Sequence, residues 1–356
     1  MTTTYAVPES AVKELEGLVA RIEANPGRMV DTASFPERVD TRKILNDLPE
    51  GMSEKDFVGV IELAMLTECA TDIYAGAITS RAKDAGAGWL YKFNEEIWKP
   101  DEYMHSEPFK LILLGMGFNE SELDRKISDT QNGTFVHNGG DTPVNVSTFG
   151  MVQEYLTDHF HGLIADTLKP KLPEAAHMAY EVKRRETLHM VWYRKMTAIQ
   201  VAAQPALVEN VAFEIARFQL PGNSLIPELQ NQAERWLQLM GADISRITRE
   251  LGRLMYQVTE SPRLFGQLVL ETIDKKDLVT GRIKPRHVKW VMERPGGWGY
   301  ALLGEAILER AGLAFMFKKD LEVAHRGTVQ TRIRNNLRTW VANKLPKSFT
   351  QVPSSE

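Results

Sequence analysis

Two stretches of this 356-residue chain read Glu-x-x-His: Glu102-Tyr-Met-His105 and Glu186-Thr-Leu-His189. On an α-helix, positions i and i+3 lie on nearly one face with a rise of about 4.5 Å, so a carboxylate and an imidazole spaced in this way can reach one metal ion. The pattern alone is weak. A chain with 8 histidines and this much glutamate gives about one such pair by chance, and two more occur here, Glu174/His177 and Glu322/His325.

A geometric demand separates the pairs. Four antiparallel helices hold two metal ions when two of them each supply a glutamate and the other two each supply Glu-x-x-His, all at one level. Glu68 precedes Glu102 by 34 residues and Glu154 precedes Glu186 by 32, each gap being two half-helices and a turn. With turns near Gly86 and Pro170, the members of each pair stand level, whereas Glu174 and His177 fall beside the second turn. The halves also repeat: Glu68 to Glu154 is 86 residues, and Glu102 to Glu186 and His105 to His189 are each 84. Four carboxylates turned into an apolar bundle would cost several kcal/mol each without a cation. The spacing therefore predicts a metal pair held by Glu68, Glu102, His105, Glu154, Glu186 and His189. Two imidazoles with four carboxylates are too oxygen-rich for structural zinc and too nitrogen-containing for calcium; they suit two octahedral first-row ions, iron first, with manganese open. A carboxylate-bridged ferrous pair can give two electrons to dioxygen, and a closed site directs the oxidant at a C–H bond instead of at water.

The elements that must position these residues read as helices, and few segments alternate like strands. A short amphipathic helix, Glu9 to Ala24, opens an arm that ends at Pro49-Glu50-Gly51. From Ser53, a cap with Asp56 three residues on, one long helix is expected to run to Gly86. Further helical patterns occupy roughly 89–116, 148–168 and 174–203, with the longest break, Asn132 to Thr148, rich in Gly, Asn and Pro. Helical spacing continues over 206–219, 225–240 (closed by Gly241) and 244–260, then a Gly/Pro loop at 280–300 and a helix at 301–318. The expected organisation is an all-α fold: an arm over 1–52, a four-helix bundle over 53–205, helices packed on it over 206–279, and an extension over 280–356. Arg326, Arg332, Arg334, Arg338, Lys344 and Lys347 make the end basic. It is read first as a solvated face and second as a dock for an acidic partner.

The totals bound the partners. With 43 basic and 47 acidic residues the net charge is −4, which argues against a global attraction to nucleic acid. The longest apolar run, Phe109 to Phe118, is about half a bilayer span, so no membrane crossing is expected. The single cysteine, Cys69, cannot form an internal disulfide and the start lacks a signal-peptide pattern; a reducing cytoplasm is expected.

At these residues the chain resembles the soluble acyl-[acyl-carrier-protein] desaturases, a ferritin-like di-iron family. Met65-Leu-Thr-Glu68 is similar to that family's Met-Ile-Thr-Glu, and Trp98 stands four residues before Glu102 as it does there. Gln153-Glu154-Tyr-Leu-Thr157 matches a Gln-Glu-x-x-Thr segment, and Phe218-Gln-Leu-Pro221 with Asn223-Ser-Leu looks like the stretch after the bundle. The likeness covers roughly residues 53–245. It implies a ferritin-like four-helix bundle with extra helices at both ends. The six ligands named above would then hold two iron ions, with Glu102 and Glu186 as bridges, Thr157 beside the metals to handle oxygen or protons, and Trp98 and Arg185 behind the ligands. It also implies O2 as co-substrate, a saturated acyl chain on acyl carrier protein as substrate, electrons from a ferredoxin, and a homodimer. Two other functions stay open: a di-iron oxygenase that hydroxylates or N-oxygenates another, perhaps carrier-tethered, substrate, and a non-catalytic helical binding module.

Three departures carry expectations. Pro100 and Pro108 flank Glu102 and His105, so that helix is expected to be kinked or to begin late, displacing its ligands. Arg185 stands where the family carries an aspartate of a hydrogen-bonded relay. His161, at i+7 from Glu154, is weighed as an extra ligand, with a place behind the ligands or on the surface expected instead. Cys69 and the methionines at 52, 65, 104, 116 and 151 are read as packing residues before any reactive or channel-lining role.

Overall fold

A computed structural model describes residues 5–36 and 39–260, together with Met316. Every regular element among them is helical and no strand occurs among them, so the fold is all-α. The expectations placed on 280–300, 301–318, Glu322/His325 and the basic end lie outside the described residues. Residues from Tyr5 to Ala242 belong to one compact unit, while most of the helix Ile244–Thr259 belongs to a second.

In the first unit, α1 is Glu9–Ala24, as its apolar spacing predicts, with Leu15, Leu18, Val19 and Ile22 buried. The next pattern does not give one long helix. It divides into α2 (Glu54–Glu68) and α3 (Thr71–Asp84). The start is as expected: the Ser53 hydroxyl accepts from the Asp56 amide while the Asp56 carboxylate accepts from the Ser53 amide. The break falls immediately after Glu68, where the Thr71 hydroxyl donates to the Glu68 carbonyl (2.9 Å) and satisfies a group that continuing the helix would have used.

The second rod is divided further: α4 (Gly88–Lys92), a π-helical turn (Phe93–Trp98), α5 (Lys99–Glu102) and α6 (Ser106–Gly115). Pro100 has no amide hydrogen and its ring crowds the carbonyl four residues earlier; the wider π turn lies over that stretch, and the proline sits at the start of α5. A helix unforeseen in the sequence, α7 (Glu120–Gln131), follows, capped by the Asn119 side chain. Then come the two long rods, α8 (Pro143–Leu168) and α9 (Pro173–Ala203). Every residue of α8 from Pro143 to Thr157 is buried, the signature of a helix surrounded by others.

α8 and α9 make the most extensive interface; α9 also meets α6, α6 meets α2, and α2 and α3 meet α8, so four rods close a ring. Gly150 allows the α8–α9 approach: a Cβ there would stand 2.6 Å from the Tyr193 ring. α1 lies on α9, α4 and the π turn. Beyond the rods come α10 (Val208–Arg217), α11 (Gly222–Leu225), α12 (Pro227–Gln230) and α13 (Ala233–Leu239), ended by Gly241 at φ +79°. α14 is the helix Ile244–Thr259. No helix among the described residues is long and apolar enough to cross a membrane.

Candidate metal centre

The four rods bring the six expected ligands together. Glu68 ends α2, Glu102 ends α5, His105 leads into α6, Glu154 sits mid-way along α8, and Glu186 and His189 share one face of α9. All six are 6% exposed or less. They form two groups, Glu68/Glu102/His105/Glu186 and Glu102/Glu154/Glu186/His189; within each, one ligand atom per residue lies within 4.8 Å of all the others. Donors on opposite sides of one cation stand about 4–5 Å apart at metal–ligand distances of about 2.0–2.6 Å. Each group could therefore hold a metal ion, and Glu102 and Glu186 belong to both. The prolines do not pull Glu102 and His105 out of the cluster: α5 follows the π turn without a break, and the turn at 103–105 that separates α5 from α6 leaves both residues buried within it.

The imidazoles approach the carboxylates closely. His105 Nδ1 is 2.8 Å from Glu186 Oε1 and 3.4 Å from Glu102 Oε2, and His189 Nδ1 is 2.7 Å from Glu102 Oε1. Yet Glu68 Oε1, Glu102 Oε1, both Glu186 oxygens and both Nδ1 atoms are buried without an aligned hydrogen-bond partner among the described residues. Within each group these atoms stand close enough together to serve one cation. Leaving such groups unsatisfied costs about 1–3 kcal/mol each, which a shared cation would offset; this is the donor set and the vacancy of partners that a metal pair needs.

Burial opposes a charged His105, but Glu102 and Glu186 outweigh it and raise its pKa well above the ordinary imidazole value. The same opposition at His189 is won by Asp101 and Glu102. Glu154 is pushed well above the carboxylate range by burial and by repulsion from Glu186 and Glu102. Glu186, despite its burial, is held well below that range by His105.

The surrounding residues sort as follows. Trp98 Nε1 donates to Glu154 Oε1 (3.1 Å), the place behind a ligand expected of it. Arg185, 1% exposed, donates from Nε to Asp101 Oδ2 (2.6 Å). Asp101 was not foreseen: its Oδ2 also faces His189 Nε2 at 2.7 Å, and its carboxyl is held down to about 2 because hydrogen bonding and charge from His189 outweigh its burial. His161 Nε2 is 3.2 Å from Glu68 Oε1, outside both four-donor groups. Thr157 lies one turn beyond Glu154 with its hydroxyl donated to the carbonyls of Gln153 and Glu154. The stray pair Glu174/His177 sits in the opening turns of α9, His177 edge-on to Phe35. Cys69 points its thiol at the Leu66 carbonyl, and burial, with Glu68 beside it, pushes it up to about 12, far from a nucleophile. Met52, Met65, Met116 and Met151 are core; Met104 is exposed.

No family model matches the chain, and no curated protein matches it.

Proposed function

We propose that this chain is a ferritin-like di-iron oxidoreductase whose reaction consumes O2. The observation that carries the proposal is the pair of buried four-donor groups joined through Glu102 and Glu186. By this reading Glu68 and His105 complete one iron site and Glu154 and His189 the other, with Glu102 and Glu186 spanning both. The iron pair would supply two electrons to dioxygen and an oxidant strong enough for an unactivated C–H bond.

The protein's own residues do the rest. Burial of all six ligands excludes bulk water, which would otherwise quench the oxidant. Trp98 fixes the orientation of Glu154, and Asp101 fixes that of His189. Thr157 has its donor committed to helix carbonyls, which leaves the lone pairs of its oxygen as acceptors on the Glu154 face of α8.

The substrate proposed is a saturated acyl chain on acyl carrier protein, desaturated with electrons from a ferredoxin-type donor by a cytoplasmic homodimer. This part rests on the resemblance around the ligand motifs. One observation favours a second substrate class. Asn94, Ser147, Thr197 and Gln200 are fully buried, with Thr197 Oγ1 donating to Ser147 Oγ (2.9 Å) and Tyr193 donating to Asn94 (3.0 Å). Ser147, Thr197 and Gln200 form a polar stripe between the two long rods, with Asn94 meeting Tyr193 from the π turn, and such a stripe suits an oxygenase handling a polar group better than a purely apolar tunnel does.

Iron analysis of the purified protein, an optical spectrum after anaerobic reduction and oxygen exposure, and mass analysis of acyl-carrier substrates test the proposal together. Loss of two hydrogens marks desaturation; gain of an oxygen atom marks the second reading. A protein that purifies without metal and takes none up would instead be a helical binding module.

A further inference from the structure

The two four-donor groups are alike in composition but not in what stands behind their imidazoles. Both rings turn Nδ1 toward the carboxylates. Behind His189, Nε2 meets Asp101 Oδ2 at 2.7 Å, and that carboxylate is 1% exposed. Behind His105, Nε2 has no hydrogen-bond partner among the described residues.

The chain's internal repeat explains the difference. Asp101 immediately precedes Glu102 and reaches across to the imidazole of the other half. The residue in the same relation to His105 is the one preceding Glu186, and it is Arg185, which lies 84 positions from Asp101, the offset that also relates His105 to His189. A guanidinium has donors only and cannot accept an imidazole N–H. Arg185 turns instead to Asp101, donating from Nε at 2.6 Å.

We infer that Asp101 is a positioning residue that makes the two ion sites unequal, so that the group containing His189 fills first and holds its ion more tightly. The inference rests on the two-metal reading above. An anionic acceptor on Nε2 keeps the proton there, leaves the Nδ1 lone pair facing the ion and makes the ring a stronger donor. His105 has none of this support. The outer carboxylates do not cancel the imbalance: Trp98 Nε1 donates to Glu154 at 3.1 Å, whereas His161 Nε2, 3.2 Å from Glu68 Oε1, is not aligned for a hydrogen bond. Partners of this kind are worth about 10–100-fold in metal affinity.

The test is an anaerobic titration of metal-free full-length protein with Co(II), followed by calorimetry and by the visible absorption of the bound ion. Two steps are expected, the first about 10–100-fold tighter. Glu154→Gln removes the tight step and Glu68→Gln the weak one. Asp101→Asn draws the first step toward the second. Because that change strands the buried Arg185 charge, the double variant Asp101→Asn/Arg185→Gln is titrated beside it and gives the same convergence. Two equal steps in the wild type, or a tight step that survives both Asp101 variants, overturns the inference. A protein that binds no ion overturns the two-metal reading itself.

Discussion

By the two-metal reading Glu186, like Glu102, is a carboxylate on which both ion sites would depend, and Glu186→Gln separates a shared centre from two independent ones. Its Oε1 lies 2.8 Å from His105 Nδ1 and its Oε2 3.8 Å from His189 Nδ1, whereas of these two imidazoles Glu68 approaches His105 alone, at 3.8 Å. Glu186 is 1% exposed, so no water replaces a lost charge. Breaking one buried charge pair costs about 3–5 kcal/mol, a factor of roughly 10² to 10³·⁵ in affinity at about 1.4 kcal/mol per tenfold. Glu68→Gln incurs this cost at one ion and Glu186→Gln at two. After anaerobic loading with Fe(II) and gel filtration, the expected contents are close to two ions per chain for the wild type, one for Glu68→Gln and none for Glu186→Gln. Thermal unfolding follows the same order, since an ion at 100 times its Kd adds about 2.7 kcal/mol. A Glu186→Gln protein that keeps an ion while Glu68→Gln loses both would refute the sharing.

Three further outcomes are expected. Asp56 caps α2 and accepts from Arg235 Nη2 (2.9 Å) and Trp236 Nε1 (3.2 Å); Asp56→Asn should lower stability by about 2–4 kcal/mol at neutral pH. The hydrogen bonds from Ser53, Arg235 and Trp236 outweigh burial and hold the Asp56 pKa below the ordinary value. Its contribution is therefore full above about pH 4 and is lost as pH falls toward the folded value, so wild-type and variant urea midpoints should converge in acid. Gly150→Ala places a methyl 2.6 Å from the Tyr193 ring and should cost about 1–3 kcal/mol, read as a Tm lower by about 2–10 °C; an unchanged Tm would mean that the α8–α9 contact is looser than described. Trp98→Phe removes the indole donor to Glu154 and should weaken metal binding about tenfold, whereas unaltered titration curves would reduce Trp98 to a packing role against Tyr193.

That the six side chains meet was legible because a metal-binding geometry would impose a rigid spacing: i, i+3 on two rods and equal distances from two turns. The continuity of those rods was not. Hydrophobic periodicity runs unbroken through Glu68, and the division of α2 from α3 is marked by local bonds from Cys69, Tyr74 and Thr71 to the carbonyls of Leu66, Thr67 and Glu68. α7 escaped notice because, of its residues, only Leu123 and Thr130 are buried; the Asn119 cap before Glu-Ser-Glu was its available signal. Asp101 was missed for a related reason. Neighbours on a helix point about 100° apart, so a search along one face skips the residue beside each ligand. The 84-residue offset that matched His105 with His189 also matches Asp101 with Arg185, and that pairing was there to be read.

The arm has a consequence for how the chain is assembled and trimmed. Arg185 Nη1 donates to the Pro26 carbonyl at 2.7 Å and to the Arg28 carbonyl at 3.2 Å, across 159 and 157 residues of sequence, and the Arg28 guanidinium meets Glu181 at 2.6 Å. The arm thus waits for a rod more than 150 residues further along the chain before it can dock, a long-range closure of the kind that belongs late in folding. Once docked, it satisfies donors on the guanidinium that braces Asp101, so removing residues 1–28 would loosen His189 from a distance, and on the two-metal reading such a truncation would act as a lesion of the metal centre.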